Sequence, residues 1–113
     1  MLDGGIKSMT EREAVTITIS DIAQMIMPIV KASPVKRVIL YGSYAKGTNT
    51  SESDVDLIID SNGELKGIEF FILSAEIAKA LPIKSDIFEY REIKPNSAMY
   101  NEIAKDGVVI YAN

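Results

Sequence analysis

Residues 54 to 60 read DVDLIID. The stretch alternates acidic and aliphatic residues and then becomes wholly aliphatic, the pattern of a strand. Strand side chains repeat with period two, so Asp54 and Asp56 share one face while Val55, Leu57 and Ile59 share the other. By the strand rise, the two carboxylates stand roughly 6.6 Å apart. At an effective dielectric of about 20, charges at that distance repel by about 2.5 kcal/mol. A half-buried strand keeps such a pair only if something compensates it or solvent screens it. A divalent cation gripped by both carboxylates is one solution. A strand end facing water is the other.

Just upstream, KRVILY (36 to 41) is a short apolar, β-branched run that reads as a buried strand leading directly into Gly42-Ser43. A glycine at such a strand-to-helix turn lets a phosphate approach the backbone closely. The outward N–H groups then form an anion site, to which Ser43 adds a hydroxyl donor and Lys46 a counter-charge. The plain alternative is an ordinary turn followed by a solvated lysine. A third carboxylate, Asp86, lies in KSDIFEY (84 to 90), on the same strand face as Lys84 and Phe88 and opposite Ile83 and Ile87. If that strand pairs beside residues 54 to 60, all three carboxylates converge; otherwise Asp86 is a surface residue at a strand end.

The 113-residue chain reads as a single domain, with residues 1 to 12 as a flexible N-terminal tail. It contains neither cysteine nor histidine, which excludes disulfides, thiolate catalysis and histidine acid–base chemistry. Any bound metal is therefore held by oxygen, which favours magnesium, manganese or calcium. The formal net charge of -4 argues against a protein that grips nucleic acid through its phosphates. No apolar run is long enough to span a bilayer and no signal-peptide core is present, so a cytoplasmic protein is expected.

The remaining elements follow from local pattern. Ile22, Ile26, Ile29 and Val30 form a helical stripe behind a Thr18/Asp21 capping box, and Pro28 should kink that helix or lengthen a local hydrogen bond. Asn62-Gly63 centres a turn. Ile68, Phe71, Ile72, Ala75 and Ala78 mark a second helix over about 65 to 80, stopped by Pro82. A short helix over about 97 to 105 ends at Asp106-Gly107, and VVIYA closes the chain as a strand. The expected fold is α/β (α+β): a small mixed sheet of about four strands with helices packed on it.

Gly42-Ser43, ten residues, Asp54-x-Asp56 and a later strand carrying Asp86 together resemble the nucleotidyltransferases of the DNA polymerase β superfamily. The length and layout look most like its minimal nucleotidyltransferase family, from about Thr18 to the closing DGVVIY. The resemblance implies two Mg2+ ions, with Mn2+ as an alternative, on Asp54, Asp56 and Asp86. It further implies ATP as substrate, with Gly42 and Ser43 holding its phosphates, and transfer of AMP to an acceptor hydroxyl. Minimal members are commonly paired with a helical HEPN toxin and, as antitoxins, transfer AMP to a toxin tyrosine. Two other readings stay open: a non-catalytic module that neutralises its partner by contact, and a small-molecule nucleotidyltransferase of the aminoglycoside type.

Overall fold

The computed structural model describes residues 17–113; the N-terminal tail expected over 1 to 12 lies outside the described residues. Its elements run α1 (Ile19–Lys31), β1 (Arg37–Tyr41), the short α2 (Ser43–Lys46), β2 (Val55–Asp60), α3 (Ile68–Ala80), β3 (Ser85–Glu89), α4 (Ala98–Asp106) and β4 (Val108–Ala112). A single 3-10 turn, Tyr90–Glu92, follows β3. The strands form one mixed sheet in the order β3-β2-β1-β4. β1 is antiparallel to both β2 and β4, and β2 is parallel to β3. That parallel pair needs a crossover, which α3 supplies.

The first helix begins as its sequence dictates. Thr18 Oγ1 accepts from the Asp21 N–H at 3.0 Å, and the Asp21 carboxylate accepts from the Thr18 N–H at 2.9 Å. The helix runs unbroken through Pro28. The Asn62-Gly63 turn is formed with both residues at positive φ.

Helices cover both faces of the sheet. Ile22, Ile26 and Val30 of α1 and Leu73 and Ile77 of α3 bury against Val38, Leu40, Val55, Leu57 and Ile59. On the opposite face Ile103 of α4 packs on Ile39 and Ile58. Two-sided burial is why β2 turns wholly aliphatic after Asp56. Among the described residues no helix is long and apolar enough to cross a membrane.

One expectation is corrected. α3 forms, but Ile68, Phe71 and Ile72 are exposed, as are Ala75 and Ala78, and the buried face is carried by Leu73 and Ile77 with Phe70 beside them. Glu69, Ser74, Glu76 and Lys79 aside, the helix (IEFFILSAEIAKA) carries apolar residues on more than one side, so periodicity admits two faces, and crossover packing selects one. Leu73→Ala should therefore cost about 2–5 kcal/mol through cavity formation. Phe71→Ala should change stability by less than about 0.5 kcal/mol. Denaturant melts of both variants check the assignment, and the reverse ranking would restore the other face.

Candidate functional site

The acidic residues lie where the C-terminal end of β1 meets the N-terminal end of β2. Tyr41 pairs with Asp56 across the antiparallel ladder, and Asp56 pairs with Asp86 across the parallel one. Neighbours in register point to the same side of a sheet, so Tyr41, Asp56 and Asp86 form one row over three strands. Asp54 sits one residue before β2 on the same face, half-buried like the other two carboxylates.

The turn after β1 is shaped around Asp56. Gly42 has φ 82° and ψ -150°, a conformation essentially restricted to glycine. A Cβ at this position would lie 2.5 Å from Asp56 Oδ2. Glycine is thus required twice, by its backbone angles and by the carboxylate pressed against it. Ser43 opens the four-residue α2, whose closing residue, Gly47, is left-handed. Lys46 stands exposed at the far end of α2, with no carboxylate in ion-pair range among the described residues.

The electrostatics record the crowding. Burial raises the Asp56 pKa, and the charges of Asp86 and Asp54 raise it further. Lys84 Nζ lies 3.8 Å from Asp54 Oδ2, a partial answer to that one carboxylate. Among the described residues no group of three acidic side chains stands as a ready-made metal cage. The donors nonetheless fit a hard divalent cation: all are carboxylate oxygens, and Asp56 is half-buried beside like charges with no cationic side chain in ion-pair range among the described residues.

Sequence reasoning missed two residues here. The Tyr41 hydroxyl donates to Glu102 Oε1 of α4 at 2.7 Å. That bond, burial and the charges of Glu102 and Asp56 push the tyrosine pKa up to about 12. The bond therefore ties α4 to the strand end beside Asp56. Its only sequence signal was Tyr41 at the end of a strand next to Gly42, and Glu102 carried none.

Ionised Asp56 costs stability above its raised folded pKa, and the cost disappears as pH falls below the unfolded value of ~3.9. Asp56→Asn should therefore stabilise the metal-free protein at pH 7 by ~1 kcal/mol, a value reduced for partial solvent screening. The gain should vanish near pH 4. Thermal melts at both pH values check this; a destabilised variant at pH 7 would make Asp56 a structural hydrogen-bond acceptor instead.

Comparisons with known proteins bear on the family and the fold. The family model described as "Polymerase beta, Nucleotidyltransferase" matches residues 24–113. A Methanocaldococcus jannaschii protein provisionally named a protein adenylyltransferase is 28% identical over 79 residues, covering 70% of this chain and 85% of its own. A solved toxin–antitoxin complex with AMP-PNP has a chain similar in fold, with TM-score 0.67 and 20% identity over 80% of this chain and 73% of that one. A complex of tri-AMPylated Shewanella oneidensis HEPN toxin with MNT antitoxin aligns at TM-score 0.61 and 17% identity, covering 81% and 71%.

Proposed function

The chain belongs to the polymerase beta nucleotidyltransferase family, and we propose that it transfers AMP from ATP to a tyrosine hydroxyl of a HEPN-type toxin, acting as its antitoxin in the cytoplasm. One observation carries the reading. Asp56 and Asp86 are held in register on adjacent strands while the Asp56 carboxylate lies against the Gly42 backbone. The names of the relatives, protein adenylyltransferase and a HEPN toxin bearing AMP, support the donor and the acceptor.

Asp54, Asp56 and Asp86 hold Mg2+, with Mn2+ as a substitute. When bound, the metal neutralises the triphosphate and lowers the pKa of the acceptor hydroxyl. The protein's own part is positioning. Gly42 lets the outer phosphates reach the backbone, and the Ser43 hydroxyl and first amides of α2 donate to them. Asp56 and Asp86 fix where the α-phosphate and the acceptor oxygen meet. The acceptor oxygen bonds to the α-phosphorus, the bond to pyrophosphate breaks, and the acceptor proton passes to solvent. Such chemistry rests on orientation and charge, so a chain without histidine is adequate to it.

Incubation with labelled ATP, Mg2+ and the cognate toxin should label the toxin, and EDTA should abolish the label. Ser43→Ala should slow transfer about ten- to a hundredfold, the value of a charge-assisted hydrogen bond. A tight complex that never becomes labelled would replace this reading with neutralisation by contact. A labelled small molecule would replace it with an aminoglycoside-type activity.

A further inference from the structure

β3 is the end strand of the sheet and pairs only with β2 among the described residues. The Lys84 carbonyl accepts from the Val55 N–H, so residues 84, 86 and 88 turn their backbone toward β2. Ser85, Ile87 and Glu89 consequently present N–H and C=O groups outward, an open edge onto which another strand can add.

That edge opens onto two cavities. One, of about 430 Å3, lies along Ile87, Phe88, Ile93 and Met99. The other, of about 300 Å3, is lined by Leu65, Lys66, Glu89 and Arg91. They meet at Phe70, Glu89 and Glu92. Glu89 is 8% exposed. Its Oε1 accepts from the Arg91 N–H at 2.6 Å, whereas its Oε2 is buried with no partner. Among the described residues the other buried side-chain polar atom without a partner is Ser85 Oγ, on the same face of the same strand. A buried carboxylate oxygen without a donor is costly, and an incoming ammonium or guanidinium group answers it. Of the cations already there, Arg91 donates to Asn62 Oδ1 at 3.2 Å and Lys66 is exposed.

We propose that the β3 edge is the docking site for an extended segment of the acceptor protein, which pairs with the strand, places a lysine or arginine on Glu89 and delivers its hydroxyl residue opposite Asp86. The inference rests on the nucleotidyl-transfer reading and deepens it by naming how the acceptor is held. Asp86 and Glu89 are three residues apart and face opposite sides of the sheet, so the basic residue and the acceptor are also three apart. A strand added outside β3 lies one interstrand spacing of about 4.8 Å from Asp86 and two from Asp56, so the acceptor needs a long side chain such as tyrosine to bring its hydroxyl toward the Asp56–Asp86 pair. Apolar neighbours of the basic residue fill the cavity at Phe88 and Ile93.

The test uses two end-blocked nine-residue peptides of alternating Thr and Val. One carries Tyr and Lys three residues apart, and the other has Glu in place of Lys. Titrated into 15N-labelled protein, the Lys peptide should shift the amides of Ser85, Ile87 and Glu89. Its binding should weaken at least tenfold in Glu89→Gln, which keeps the acceptor for Arg91, and in the Glu peptide. Ile87→Pro removes an outward N–H while sparing the β2 ladder; it should abolish the shifts while the β1 and β2 amide spectrum is kept, at a lower melting temperature because Ile87 packs on the core. Equal binding of both peptides to wild type and Glu89→Gln, or shifts away from β3, would overturn the proposal. So would a dimer that Ile87→Pro dissolves, since a second copy would then own the edge. Titration with ATP and Mg2+, followed at Gly42 and Asp56, reports separately on the nucleotide site, so the two ideas fail independently.

Discussion

Two carboxylates set side by side on parallel strands are the constraint around which the molecule is arranged. The β2–β3 register places Asp56 beside Asp86, with Asp54 close enough to add its charge. Nothing in that arrangement helps a folded protein by itself. It is sustained because the strand beneath is buried on both faces, and the apolar contacts of Val55, Leu57, Ile58 and Ile59 outweigh the local repulsion. The crossover through α3 fixes β3 parallel to β2, and so fixes which acidic residues meet.

The polar contacts divide between the two ends of the sheet. At the end remote from the acidic row, the Arg37 Nε donates to Asp60 Oδ2 at 2.9 Å, and its guanidinium lies 4.8 Å from the centre of the Tyr90 ring. There a carboxylate on β2 is satisfied within the fold. At the acidic end Asp56 faces a tyrosine already committed to Glu102, and only the exposed Lys84 leans toward Asp54. One strand thus carries a matched carboxylate at one end and an unmatched set at the other. On the reading proposed above, the unmatched end is the place for a divalent cation.

Much of this was legible because it is local. The capping box at Thr18, the left-handed turn at Asn62-Gly63, the strand with two same-face aspartates and the glycine after β1 are each written within a few residues. What stayed hidden depends on pairing between distant segments. Tyr41 meets Asp56 through an antiparallel register and Glu102 through the docking of α4, and neither leaves a periodic trace. Glu89 read as one residue in an alternating strand, and only the assembled edge reveals its unpartnered oxygen. The face of α3 was misassigned because a helix with apolar residues on more than one side satisfies the same periodicity in two orientations. Lys46 stands on the exposed end of α2.

The central claim is that the carboxylates of β2 and β3, with Asp54 just before β2, receive a divalent cation together with a nucleotide. Paramagnetic Mn2+ titrated into 15N-labelled protein tests it most directly, because broadening falls off steeply with distance from the ion. The account predicts that substoichiometric Mn2+ bleaches the amides of Gly42, Ser43, Asp56 and Asp86 first, and that ATP sharpens this selectivity. Broadening spread over the exposed acidic surface, or centred on Glu64 and Glu69 with Gly42 and Asp56 untouched, would contradict it.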